Sequence, residues 1–142
     1  MDNYWENLLL SALAVSLETR ELRLIHDDGP LFQALQDKFP VAGSKINWSS
    51  VPGAVNGKAG HDELADRLVF FREHALSLGA ESRAYYLSDG ALDFAVLGNM
   101  GALYRHLPQL LENPQHHYFT PEDFAWCIAF TMEGDMHFGR VS

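Results

Sequence analysis

Along the last quarter of the chain, Phe124, Trp126, Ile128, Phe130 and Met132 occupy every second position. Side chains of a strand alternate between its two faces, so this run predicts a β-strand with one bulky apolar face. Glu133-Gly134-Asp135-Met136 follows as a turn, and residues 137–141 read as a second, shorter strand. Together they predict a core-forming hairpin tipped by two carboxylates. Near the start the spacing is different. Trp5, Leu8, Leu9, Ala12, Leu13 and Ser16 recur at three- and four-residue steps, which predicts a helix over residues 4–17 with Asn3 as its cap. Residues 21–26 alternate and predict a short strand, with Leu22 and Leu24 on one face. Asp27-Asp28-Gly29-Pro30 is a turn. Pro30, favoured at a first helical position, opens a short helix ending near Lys38.

Residues 40–60 change character. Pro40, Gly43, Ser44, Asn47, Pro52, Gly53, Asn56, Gly57 and Gly60 predict a long irregular segment, with one brief strand over residues 45–48. A loop of that length inside a domain is either functional or mobile. His61, Leu64, Leu68, Phe71, Ala75 and Leu78 then form a helical stripe over residues 61–78. Glu63 and Arg67 stand four apart on its outer side, and Gly79 stops it. Residues 82–87 and 92–97 read as two strands joined at Ser88-Asp89-Gly90. Asn99 caps a helix running to residue 112, kinked or restarted by Pro108 and ended by Asn113-Pro114. Residues 116–120 form a further strand, and Pro121-Glu122-Asp123 leads into the final hairpin. From residue 83 onward the order is strand, strand, helix, strand, strand, strand. That order predicts an α+β fold: an antiparallel sheet in the C-terminal half, backed by about four helices, in a single domain over residues 1–142.

Charge narrows the partners. Among 142 residues, 19 are acidic and 10 basic, a formal net charge of -9. Nucleic-acid binders carry the opposite balance because they neutralise phosphates, and anionic lipid repels an acidic surface. Neither nucleic acid nor membrane is therefore an expected partner. Excess carboxylates instead steer a basic partner. Cys127 is the only cysteine, so no internal disulfide forms; it reads as a buried, inert thiol suited to a reducing compartment. The first residues are acidic, and the apolar run of residues 8–15 is too short for a membrane span and lacks the basic flank of a secretory leader. The expected location is cytoplasmic.

Candidate chemistry is sparse. His106, His116, His117 and His137 share the C-terminal half with Cys127, but no His-Glu-x-x-His or paired-cysteine pattern joins them. No metal or cofactor is expected. His116 and His117 would point to opposite faces of a strand. The carboxylate pairs Asp27-Asp28, Asp89 with Asp93, Glu122-Asp123 and Glu133 with Asp135 would support acid–base chemistry only in a pocket that separates their pKa values. Asp89 and Asp135 fall in predicted turns, where aspartate is favoured for local hydrogen bonding. Ser88 is not in a Gly-x-Ser-x-Gly elbow, and Lys58 is followed by Ala59 rather than a hydroxyl residue. Gly98-Asn99-Met100-Gly101 reads as a strand-to-helix turn, with a weaker reading as an anion-holding helix start. No catalytic residue is assigned. Tyr and Trp beside Asp and Glu do make good anchors for arginine. Asp89, Asp93, Glu122, Asp123, Glu133 and Asp135, with Tyr85 and Tyr118, are therefore the candidate partner-binding residues.

The stretch from Phe124 to Gly139 resembles the closing hairpin of small bacterial immunity proteins of polymorphic toxin and contact-dependent growth inhibition systems. Leu97-Gly98-Asn99-Met100 and the run from Leu107 to Pro114 are similar to them as well. The resemblance covers the last 60 or so residues and implies a role more than an architecture. It implies stoichiometric inhibition of a cognate toxin domain, often a nuclease, by a monomer or weak dimer in the cytoplasm. Two other readings stand beside it. One is a small hydrolase in which Asp93 or Glu122 meets His106 or His137. The other is a self-associating structural or regulatory domain with a Phe/Trp-rich dimer face.

Overall fold

The structure, a computed structural model, describes residues 4–42, 45–89, 92–113 and 115–141. Asn3, Gly43, Ser44, Gly90 and Pro114, each given a cap, loop or turn role by the sequence, lie outside the described residues. In chain order the elements are α1 (Tyr4–Glu18), β1 (Leu22–Ile25), α2 (Gly29–Lys38), β2 (Val41–Ala42), β3 (Lys45–Ile46) and β4 (Val55–Lys58). Next come α3 (Glu63–His74), β5 (Arg83–Asp89), β6 (Ala95–Asn99), α4 (Met100–Arg105) and α5 (Leu107–Leu110). The chain closes with β7 (His116–Pro121), β8 (Trp126–Phe130) and β9 (Asp135–Arg140). Single 3-10 turns occupy Trp48–Ser50 and Leu76–Leu78.

The fold is α+β. Seven strands form one sheet in the order β1-β6-β5-β7-β8-β9-β4, and every neighbouring pair is antiparallel. The C-terminal half supplies the five inner strands. The N-terminal half supplies both edges, β1 and β4. Helices cover both faces. Leu9 and Leu13 of α1, Phe70 and Phe71 of α3, and Met100, Leu103, Leu107 and Leu110 of α4 and α5 pack with Tyr86, Phe119, Ile128 and Phe130. On the opposite face, Leu35 of α2, Phe39, Ile46, Trp48 and Val51 pack with Leu87, Ala95, Tyr118, Cys127 and Ala129. Burial of a large apolar side chain stabilises by roughly 1.5–3 kcal/mol, so inner strands clad on both sides carry most of the core.

β8 shows how the two-residue period translates. Trp126, Ile128 and Phe130 face the α1/α3 layer, while Cys127 and Ala129 are equally buried beneath α2 and its neighbours. The alternation therefore separates large from small buried side chains rather than buried from exposed ones. The strand is shorter than its sequence pattern. Phe124 has a left-handed φ of 57° and stacks on Tyr85 at 5.9 Å, and Met132 is exposed in the turn. β9 begins at Asp135, which is therefore a strand residue and not a turn residue.

The segment over residues 40–60 is largely built, not irregular. It holds the β2–β3 hairpin, the Trp48 turn and the edge strand β4. Val-Asn-Gly-Lys has no apolar alternation because β4 is an edge with little to bury, so only its register with β9 reveals it. A Cβ on Gly139 would lie 2.8 Å from Val51 and 3.0 Å from Trp48, so this glycine lets the Trp48 turn press on β9.

The long helix expected over residues 61–78 is α3 followed by the 3-10 turn, which Gly79 closes at φ 131°. His61 precedes α3, and Leu64 is exposed. The Glu63–Arg67 pair forms at 2.6 Å, but Arg67 is buried on the inner side, against expectation. Its Nη2 donates to the Thr131 carbonyl at 2.8 Å and so holds the β8–β9 turn. Asn99 caps α4 as expected, accepting from the Ala102 amide at 2.7 Å, and the helix restarts at Leu107-Pro108. β5 and β6 both end two residues later than expected, and they begin one and three residues later, so Asp89 ends a strand instead of sitting in the turn.

Candidate functional site

Strand register sorts the candidate residues to two ends of the sheet. Asp89 pairs with His116, Ile25 with Ala95, Phe130 with Met136 and Lys58 with Asp135. One end therefore carries Asp27-Asp28 after β1, Asp93 before β6, Asp89, and the β8–β9 turn with Glu133 and Asp135. At the other end Arg83 pairs with Asn99, Ala84 with Pro121 and Trp126 with Arg140. Glu122 and Asp123 lie there, separated from the remaining acids by the length of the sheet.

Most of the expected docking carboxylates are already engaged. Glu133 pairs with Lys45 at 3.0 Å and Asp135 with Lys58 at 3.2 Å. The Lys45 hydrogen bond, joined by backbone donors, pulls the exposed Glu133 carboxyl down to about 2. Glu122 meets Arg83 at 3.5 Å, and Asp123 accepts from the Ala125 amide at 3.1 Å. The tyrosines are less available than their sequence setting suggests. Tyr85 is half-buried under Phe124, and Tyr118 is buried edge-on to Phe32. β7 is an inner strand with both faces covered, which is why Tyr118 is not an exposed anchor.

Asp27, Asp28, Asp89 and Asp93 behave differently. None of them takes part in an ion pair among the described residues. Partial burial raises the Asp28 carboxyl above its ordinary range, and the neighbouring Asp27 and Asp93 charges add to the rise. Like charges held together without a cation cost free energy in the isolated protein. The Asp93 amide donates to Glu6 Oε1 at 2.6 Å, which brings the first turn of α1 to the same end.

At Asp89 a cavity of about 200 Å³ lies between α2, the β2–β3 hairpin and the sheet. Phe32, Leu35, Val41 and Ile46 wall it, with the Tyr118 ring on its floor and Asp89 contributing its one carboxylate. The chemistry of such a lining is binding. Apolar walls accept a side-chain stem, and a single carboxylate fixes a cationic head.

The histidines are engaged elsewhere. His137 stacks on Trp48 at 5.1 Å and bonds to Asn56 at 2.7 Å. His117 is buried, bonds through Nδ1 to the Tyr86 hydroxyl at 2.7 Å, and burial brings its pKa down to about 3. His116 Nδ1 accepts from the Met132 amide. His106 bonds to Ser16 Oγ at 2.8 Å, and the same hydroxyl donates to Glu21 at 3.1 Å. That order differs from a nucleophilic triad, where the acid orients the histidine; here the acid accepts the serine's hydrogen bond directly. Neither His106 nor His137 bonds to Asp93 or Glu122, the pairings a hydrolase reading requires. No group of three metal-ligating residues occurs among the described residues. The start of α4 is also filled. The Met100 and Gly101 amides donate to the carbonyls of Ser82 and Ala80, and Asn99 takes the next amide.

No protein-family model matches the chain, and no curated protein matches it in sequence. Among the described residues, no helix is long and apolar enough to cross a membrane.

Sequence reasoning marked Asp27-Asp28 as a turn and as a carboxylate pair, but not as part of a partner-binding surface. Its link to Asp93 depends on the non-local pairing of β1 with β6. The α2 cavity left no local signal either, because its walls come from three elements.

Proposed function

We propose that this chain is a stoichiometric inhibitor, an immunity protein as its C-terminal hairpin implies, and that it receives a basic toxin domain on the acidic β1–β6–β5 end of the sheet. The observation that carries the reading is the α2 cavity with Asp89 on its lining, together with Asp27, Asp28 and Asp93, which have no cationic partner among the described residues. An arginine or lysine of the partner fits this arrangement. Its stem lies between Phe32, Leu35 and Ile46, and its head pairs with Asp89. Burying such a pair at the centre of an interface is how a few residues come to dominate binding. The net charge of -9 speeds encounter with a cationic surface such as a nuclease groove, and covering that groove blocks the substrate.

Affinity purification of the tagged full chain from its native host tests the reading. One stoichiometric co-purifying protein with a basic domain, whose toxicity the chain relieves on co-expression, is the expected result. A co-purifying set with no stoichiometric member, from cells expressing the bait, contradicts it.

A further inference from the structure

A second cavity, running along β1, has the opposite character. It is a groove of about 880 Å³ alongside edge strand β1, with Leu97 and Gly98 of β6 on its floor. Arg20, from the turn after α1, Arg23 of β1 and Arg83 of β5 all line it. Only 10 of the 142 residues are basic, so three guanidiniums on one groove run against the composition. Of the two acids on the lining, Glu21 is paired with Arg105, which leaves Glu81 as the one carboxylate set against the three arginines. Arg20 and Arg23 have no carboxylate partner among the described residues, while Arg83 is paired with Glu122 at 3.5 Å and would have to share its guanidinium with a ligand.

The backbone gives a second, independent sign. Arg20 sits at φ 66°, in the left-handed region, and its amide closes the last turn of α1 on the Leu17 carbonyl. Glycine is the usual occupant of such a helix-terminating position because a Cβ is strained there. Strain of this kind persists where a side chain serves a purpose, and the Arg20 side chain lines the groove.

We propose that this groove binds a compact oxyanion ligand, a phosphorylated or polycarboxylate small molecule, held by Arg20, Arg23 and Arg83. Guanidinium forks match the paired oxygens of phosphate and carboxylate. A volume of this order takes a ligand of metabolite size. A long polyanion is disfavoured, because beyond a screening length of about 8 Å it meets the acidic remainder of the surface.

The test uses the full chain with inorganic pyrophosphate and, separately, citrate, followed by calorimetry and amide NMR at low ionic strength. Saturable binding of one of them is expected, with shifts at Arg20, Arg23, Arg83 and Leu97; whichever binds tighter identifies phosphate or carboxylate as the natural head group. Arg23→Gln and Arg20→Gly each weaken it about tenfold, the loss of one charge-assisted bond, while Arg72→Gln leaves it unchanged. Arg20→Gly also raises the thermal midpoint, which separates loss of binding from loss of folding. Absence of saturable binding by both probes overturns the proposal, as does binding that Arg20→Gly and Arg23→Gln leave intact.

Discussion

Glu133 and Asp135 share one end of the sheet with Asp27, Asp28, Asp89 and Asp93, yet the two groups sit in opposite surroundings. The hairpin-tip acids each meet a lysine from the preceding N-terminal segment, and the β8–β9 turn beneath them is held by buried Arg67. Asp28 has the like charges of Asp27 and Asp93 beside it, and Asp89 lines a cavity. A carboxylate already satisfied within its own chain has little to offer a partner. One held among like charges gains most when a cation arrives. The same residue type thus stabilises one region and equips the other for binding.

The sharpest way to break the contrast is at Asp89 and Asp93. Neutralising both, as D89N/D93N, should weaken binding of a basic partner by about 2 kcal/mol or more, roughly thirtyfold, read by surface binding kinetics across a salt series. E133Q/D135N should change it far less. The next largest effect concerns folding. Arg67→Met removes the donor to the Thr131 carbonyl and the ion pair with Glu63, and should cost about 1–3 kcal/mol in urea unfolding. K45M/K58M converts the paired tip into an unpaired one. It should lower the urea midpoint only slightly, because both pairs are exposed and screened by solvent, while speeding association with a cationic partner.

The smallest effects lie in pH dependence and have opposite signs. Asp28 has a raised carboxyl, so the folded state holds its proton to higher pH than the unfolded chain. Its contribution to stability is present at low pH and lost as pH rises through the folded value. Glu133, lowered to about 2, contributes above its ordinary value of 4.5, and that contribution is lost as pH falls toward 2. Carboxyl-carbon NMR should therefore show Asp28 titrating late and Glu133 early. Asp28→Asn should raise stability at neutral pH by no more than about 0.5 kcal/mol, as a relieved surface repulsion.

How much of this was legible in the sequence depends on whether the signal was local. The α1 stripe, the Asn99 cap, the restart at Pro108 and the β8 alternation rest on neighbours within one turn or one strand, and they were readable. β4 was not, since an edge strand that buries nothing leaves no periodicity and appears only through pairing with β9. Arg67 read as an outer, solvated partner of Glu63, although the turn it holds is 64 positions away. The candidate surface failed to separate for the same reason. Charge counting found Glu133, Asp135, Asp89 and Asp93 alike. Lys45 and Lys58, which set two of them apart, lie 88 and 77 positions from their partners.

The most direct measurement is a parallel capture from the native host with three tagged baits: the unaltered chain, D89N/D93N and E133Q/D135N. The expected result is one basic partner retained by the unaltered chain and by E133Q/D135N and lost from D89N/D93N. A partner that stays on D89N/D93N and leaves E133Q/D135N would place the binding surface on the hairpin tip and contradict the assignment of the acidic β1–β6–β5 end.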